Sequence, residues 1–166
     1  MAYDSSYWQN FYTMTGGAAA ALTGLLFVAM SLHAKAIMDN RFYRNRAVTT
    51  LMSLTSQLLL SGAVLIPGQS LTLLGAEVEA VAVFFLGMTI RAILTRGPET
   101  GSEPMTWTRR VVELVGGASW NVLFVASGMS LLVRAGGGLY LLAAVMFVMF
   151  GWNIYVAWVL ITEVSE

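Results

Sequence analysis

The chain has 166 residues, of which 57% are hydrophobic and 11% are charged, and nine acidic residues balance nine basic ones. Soluble domains hold about 45–50% apolar and about 25% charged residues, so this composition is typical of a membrane protein. The absence of cysteine excludes disulfides, iron–sulfur clusters and thiolate metal sites, and the single histidine excludes bis-histidine haem within one chain. We expect no cofactor and no nucleic-acid partner.

Aromatic residues crowd the first twelve positions, at Tyr3, Tyr7, Trp8, Phe11 and Tyr12. Tyrosine and tryptophan prefer the headgroup layer of a bilayer, so this segment is predicted to lie at the membrane interface. The same twelve positions contain no lysine or arginine, and we therefore expect no cleavable signal peptide.

A first membrane span is predicted over residues 15–37, which are apolar and numerous enough to cross roughly 30 Å of hydrocarbon. Gly16, Ala20 and Gly24 fall four residues apart in this segment. Small residues at that spacing allow two helices to approach closely, which is how helices associate in lipid. We therefore predict that this stripe packs against another helix.

A second and a third span are predicted over residues 47–66 and 71–93, after a short basic connection at 38–46. The second span carries Gln57 near its middle. Between the two spans, Pro67, Gly68 and Gln69 form a turn signal so short that the spans are expected to form an antiparallel hairpin.

A fourth and a fifth span are predicted over residues 111–133 and 139–161, joined by a glycine-rich turn at 134–138. Glu113 and Asn121 share one face of the fourth span with small residues, and Asn153 is the strongly polar residue of the fifth. We expect Asn153 to hydrogen-bond a neighbouring helix. The loop at 94–108 is too short for a soluble domain, so residues 1–166 are predicted to form a single transmembrane domain.

The predicted fold is therefore an all-α integral membrane bundle of five transmembrane helices, one span followed by two hairpins. Basic residues concentrate in cytoplasmic connections of membrane proteins. With the amino terminus outside and the carboxyl terminus in the cytoplasm, eight of the nine basic residues lie on the cytoplasmic side, namely Lys35, Arg41, Arg44, Arg46, Arg91, Arg96, Arg109 and Arg110. Arg134 alone lies outside.

The third span carries two carboxylates, Glu77 and Glu79. A charged side chain near the bilayer centre costs roughly 2.5–3.5 kcal/mol on insertion scales, so their presence calls for a reason. Two residues apart on a helix, they point about 200° away from each other. If one faces the bundle interior, the other faces lipid, a pore or a second subunit, which favours a homo-oligomer with the third span at a subunit contact.

A combination of short patterns covers the first half of the chain. It consists of FYTMTGGAAAALTGLLFVAMSLHAKAI at 11–37, Arg46 with Ala47, LIPGQ at 65–69 and GAE at 75–77. In these segments the chain resembles a group of small multi-span bacterial membrane proteins found largely in actinobacteria, some of which carry a label as modulators of a membrane protease. The resemblance implies a bacterial cytoplasmic (inner) membrane location and implies no chemistry.

Three functions are compatible with these features. In the first, carboxylates of the third span line a cation or proton pathway in a homo-oligomer, as in an ion channel or transporter. In the second, the glutamates are structural and the protein is a non-catalytic scaffold or regulatory partner of a larger membrane complex, such as a membrane protease. The third, an intramembrane enzyme, is disfavoured because the sequence has no Ser/His or His/Asp constellation, metal-ligand spacing or phosphate loop.

The first function is the leading expectation, because ionisable residues inside a membrane usually mark a functional site. The candidate residues of the pathway are Glu77, Glu79, Gln57, Asn121, Glu113 and Asn153. A metal ligand set is not identifiable from the sequence, and we predict that the protein is not an enzyme.

The predicted orientation can be tested with epitope tags at the two ends of the chain. A tag at Met1 should bind antibody on intact spheroplasts, whereas a tag after Glu166 should bind only after the membrane is permeabilised. Accessibility of the Met1 tag from the cytoplasmic side alone would contradict the assignment.

Overall fold

The structure is a computed structural model that describes residues 2–94 and 121–164. Within these residues every regular element is a helix, which confirms the all-α prediction for the described part of the chain. A 3₁₀ helix at Ser5–Trp8 precedes α1 (Gln9–Leu32), α2 (Ala34–Asp39), α3 (Arg41–Val64), α4 (Leu71–Leu94), α5 (Asn121–Val133) and α6 (Leu139–Val164).

Four of these helices, α1, α3, α4 and α6, are long and apolar enough to span a membrane. The helix α5 is a shorter apolar helix, and the first part of the predicted fourth span, residues 111–120, lies outside the described residues. The structure is therefore that of a helical membrane protein with four candidate spans. The fifth span and the orientation stay predictions.

The chain divides into two compact units. Unit 1 consists of Met1–Gln69 and Met146–Glu166, and it contains α1, α2, α3 and most of α6. Unit 2 is Ser70–Val145, and it contains α4, α5 and the first residues of α6.

In unit 1, α1 and α3 pack against each other in antiparallel orientation. Near the start of α1, Gly16 lies against Ser61, which is near the end of α3, and a Cβ added at Gly16 would come within 2.9 Å of the Ser61 Cβ. Near the end of α1, Leu26 joins an apolar cluster with Leu54 and with Ala47, which lies in the earlier half of α3. Thr15 Oγ1 and Ser61 Oγ share a hydrogen bond of 3.3 Å beside the glycine.

The contact face of α1 differs from the predicted stripe of small residues. Gly16 is buried, but Ala20 and Gly24 are exposed, and a Cβ added at Gly24 would meet nothing within 4 Å. The reason is that a strict four-residue repeat drifts by about 40° per step around a helix of 3.6 residues per turn. The buried positions of α1 instead recur at helical spacings of three, four and seven residues, at Tyr12, Thr15, Gly16, Ala19 and Leu26.

The helical path of the predicted first span is interrupted. The helix α1 ends at Leu32, His33 leaves the helical conformation with φ −112° and ψ 24°, and α2 then continues to Asp39. The 24 residues of α1 already extend about 36 Å, which exceeds the hydrocarbon thickness. The predicted connection at 38–46 is itself helical except at Asn40, which separates α2 from α3.

The predicted turn at 67–69 is present between α3 and α4. Gly68 adopts φ +72°, a left-handed conformation that side chains other than glycine rarely adopt. Ser70 then caps α4, because its Oγ accepts a hydrogen bond of 3.2 Å from the Leu73 N–H. As a result α4 begins at Leu71, the predicted first residue of the third span.

The first dozen residues form an aromatic cluster at the start of α1. The Phe11 ring lies edge-on to Trp8 at 5.8 Å and to Tyr12 at 5.1 Å, and it stacks on Phe147 of α6 at 6.2 Å. The preceding 3₁₀ helix is capped by Asp4, which accepts hydrogen bonds from the Ser6 hydroxyl and N–H. The hydroxyl and then the amide of Ser6 lower the pKa of Asp4.

The α1–α3 contact predicts opposite effects for two glycine-to-alanine substitutions on one helix. Gly16→Ala should destabilise the protein by about 1–3 kcal/mol, because the new methyl group overlaps the Ser61 Cβ. Gly24→Ala, the matched control in open space, should stabilise α1 by about 0.5–1 kcal/mol, because alanine has the higher helix propensity. Unfolding in detergent followed by circular dichroism measures both, and equal stabilities would refute the contact.

Candidate functional site on α4 and α5

The helix α4 has one buried face, formed by Leu74, Gly75, Val78 and Ala82. Val78 is 0% exposed and stands between Glu77 and Glu79. At 100° per residue, the two glutamates lie about 100° to either side of Val78. Both are half-buried.

The carboxylates thus occupy the two edges of one buried face. The sequence predicts that if one of them faces the bundle interior, the other faces lipid, a pore or a second subunit, and in unit 2 neither lies at the centre of the buried face. Their separation around the helix is as predicted, but the buried face is centred between them because Val78 is apolar and they are not. Each carboxylate therefore stands at a boundary between protein and surroundings.

In unit 2, α4 and α5 cross in antiparallel orientation at two close contacts. Gly75 lies against Leu132, where an added Cβ would come within 3.0 Å of Leu132 Cγ and 3.1 Å of its backbone nitrogen. One turn further along α4, Glu79 lies against Gly128, one turn earlier on α5. A Cβ added at Gly128 would come within 3.1 Å of the Glu79 nitrogen and 3.3 Å of its Cα.

The contact at Gly128 also places the Glu79 carboxylate. A Cβ at Gly128 would overlap Glu79 Oε2, so only glycine leaves room for the side chain in this position. Oε2 is buried and has no hydrogen-bond partner within residues 2–94 and 121–164. An ionised carboxylate oxygen without a partner in an apolar setting is costly, so a proton or a bound cation would stabilise this group.

The described part of the predicted inward face of α5 is buried. Asn121, Phe124 and Gly128 recur at steps of three and four residues, and all three are buried. Glu113, which was predicted on the same face, lies outside the described residues. The face of α5 that meets α4 thus has Gly128 at the contact, with a buried asparagine and a buried phenylalanine along the same side.

A serine that the sequence analysis did not single out holds the turn between α5 and α6. Ser130 Oγ accepts a hydrogen bond of 2.8 Å from the Gly138 N–H and donates one to the Ala135 carbonyl. The intervening turn has left-handed backbone at Arg134 (φ +56°) and Gly137 (φ +111°). The glycine run was visible in the sequence, but nothing in the sequence connects Ser130 to it.

The other predicted polar residues belong to unit 1. Asn153 is buried on α6, and its Nδ2 donates a hydrogen bond of 2.9 Å to Ser53 Oγ on α3, so it bonds a neighbouring helix as expected. Gln57 is 0% exposed on α3. The predicted polar set is therefore distributed between the units, with Glu77, Glu79 and Asn121 in unit 2.

Within the residues that the structure describes, no group of three or more histidine, cysteine or acidic side chains could hold a metal ion. Comparison of the chain with protein-family models, curated proteins and solved structures finds no match. Function is therefore argued from the geometry of the site itself.

The close approach of α4 and α5 predicts a graded response to substitution at the crossing. Gly128→Ala should destabilise the protein by about 1–3 kcal/mol, because the methyl group overlaps the carboxylate of Glu79 and lies tightly against its backbone. Gly87→Ala on α4 is the matched control, since an added Cβ there meets nothing within 4 Å.

A double substitution separates the effect of the Glu79 carboxylate on stability from the effect of the Glu79 backbone. Combining Gly128→Ala with Glu79→Ala should recover only part of the lost stability, because the Glu79 nitrogen and Cα still crowd the methyl group. Thermal unfolding of the parent protein, the two single variants and the double variant in one detergent measures the coupling. A Gly128→Ala protein as stable as the Gly87→Ala control would contradict the crossing.

Proposed function

We propose that the protein is an oligomeric membrane protein that forms or lines a cation or proton pathway, with Glu79 as the group that binds the ion. The observation behind this proposal is the buried Oε2 of Glu79, which has no hydrogen-bond partner in the described part of the chain. Acidic groups inside membrane segments commonly mark ion pathways, and rings of carboxylates are a common construction of cation pores.

The position of Glu79 supports reversible binding. The side chain is half-buried. Its Oε2 atom is buried, while the side chain as a whole is partly accessible at the edge of the buried face of α4. A fully enclosed carboxylate would hold its ion without exchange, and a fully exposed one would not select it. A carboxylate at the boundary of a packed face can both bind and release a proton or cation.

The position of Glu77 supports assembly from several copies of the chain. It stands about 200° around α4 from Glu79 and is half-buried at the opposite edge. Both edges of the helix therefore carry an acidic group, and bringing copies together around α4 collects these groups along one path. We propose a homo-oligomer in a bacterial inner membrane on this basis.

The second candidate function is a non-catalytic scaffold or regulatory partner of a larger membrane complex. It is favoured by the outer side of α1, where Gly17, Ala20 and Gly24 are exposed and a Cβ at Gly17 or Gly24 would meet nothing within 4 Å. Small residues on an exposed side of a helix allow another membrane helix to approach closely. In this function Glu79 would be dispensable for activity, whereas Gly24→Leu would abolish partner capture.

A flux assay distinguishes the two functions. In proteoliposomes with a potassium diffusion potential and an enclosed pH dye, the parent protein should carry a proton or cation current. Glu79→Gln should lower the current at least tenfold, because a neutral amide cannot exchange the ion. Glu77→Gln should lower it less, since the partnerless buried oxygen belongs to Glu79.

The control for this assay is the assembly itself. Glu79→Gln should elute at the same detergent-corrected mass as the parent protein, because the amide matches the carboxyl group in shape and leaves the Gly128 contact in place. Absence of current in the parent protein, or an unchanged current in the Glu79→Gln protein, would refute the ion pathway.

A further inference from the structure

A line of buried polar side chains runs along one face of α3 in unit 1. Thr50, Ser53, Gln57 and Ser61 recur at steps of three, four and four residues, which places them on one side of the helix. All four are buried, with exposed fractions between 0% and 9%. We refer to these four residues as the polar seam, which extends about 16 Å along the helix axis.

The hydroxyl groups of the polar seam have protein partners. Thr50 Oγ1 donates to the Arg46 carbonyl at 2.9 Å, Ser53 Oγ accepts from Asn153 Nδ2 at 2.9 Å, and Ser61 Oγ shares a hydrogen bond of 3.3 Å with Thr15 Oγ1. The polar seam is thereby connected to α6 at one position and to α1 at another. Between these two connections lies Gln57.

Gln57 differs from its neighbours in that its buried amide has no partner in the part of the chain that the structure describes. Neither Nε2 nor Oε1 has a hydrogen-bond partner within residues 2–94 and 121–164, and the residue is 0% exposed. A primary amide has two donor hydrogens and an acceptor oxygen. Leaving such groups unsatisfied in an apolar setting is strongly unfavourable, so a ligand that both donates and accepts hydrogen bonds is required.

The chemistry of the polar seam identifies the class of this ligand. Its four side chains are neutral amides and hydroxyls, so they do not supply the negative charge that would compensate a dehydrated cation. Gln57 is one helical turn from both Ser53 and Ser61, and side chains at that spacing stand about 5–6 Å apart. One water molecule bridges polar groups at such a separation, and buried waters typically make about three hydrogen bonds of this kind.

We propose that the polar seam binds internal water at Gln57, which completes a hydrated hydrogen-bonded connection from Asn153 and Ser53 to Ser61 and Thr15. This connection lies within unit 1 and uses none of the carboxylates of α4. It provides a polar path at membrane depth that is independent of the ion pathway proposed for Glu79, and either proposal can fail without the other.

Cysteine accessibility tests the proposal directly, because the natural chain has no cysteine and each variant carries a single thiol. Only an ionised, hydrated thiol reacts readily with methyl methanethiosulfonate. In proteoliposomes, Ser53→Cys and Ser61→Cys, which both leave the Gln57 amide in place, should react at least tenfold faster than Leu54→Cys and Leu60→Cys. These controls are matched in burial, since Leu54 is 1% exposed and Leu60 is 2% exposed on the same helix. Equal rates at all four positions would overturn the proposal.

A second variant keeps the test decisive if Ser53→Cys does not fold. Gln57→Met preserves the approximate size of the side chain and removes its hydrogen-bonding groups, so it should expel the bound water. In this background the reaction of Ser61→Cys should slow to the rate of Leu60→Cys. An unchanged rate for Ser61→Cys would show that Gln57 holds no water and would overturn the proposal.

Discussion

Hydrocarbon offers no hydrogen bonds, and this constraint governs how every polar group of the protein is placed. Most hydroxyl groups in the described helices form their hydrogen bond within their own helix, by donating to a backbone carbonyl one turn earlier. Thr23 bonds the Ala19 carbonyl at 2.7 Å, and Ser31 bonds the Phe27 carbonyl at 2.8 Å. These groups can therefore lie in apolar helices without a partner helix.

Helix association has to be achieved by close packing, because burial of apolar surface gains little when the surroundings are apolar as well. In each unit, a glycine lies where two helices cross and allows their close packing. In unit 1 Gly16 admits Ser61, and in unit 2 Gly128 admits the backbone of Glu79. Both contacts bring a polar residue into the crossing, so the packing that holds the helices together also determines the surroundings of the polar groups.

Within the described helices, Glu79 and Gln57 depart from the general rule, and they are the groups to which we attribute activity. Glu79 has a buried oxygen and Gln57 a buried amide, and neither group is paired within the described residues. The first is an acid and suits a proton or cation, whereas the second is neutral and suits water. The difference in charge, together with their location in separate units, is the reason that we assign them different roles.

The sequence by itself determined the helical membrane class, the turn at Pro67, Gly68 and Gln69, and the start of α4, because composition and turn chemistry are local properties. It also determined that Glu77 and Glu79 point in different directions, since helical periodicity alone sets that angle. Periodicity does not say which face of a helix meets a neighbour. Only the tertiary structure therefore decided that Gly16 packs while Gly24 does not, and that both glutamates flank one buried face. The same holds for the partnerless oxygen of Glu79, since its surroundings come from Gly128, a residue that lies 49 positions away in the chain and approaches only when α4 and α5 cross.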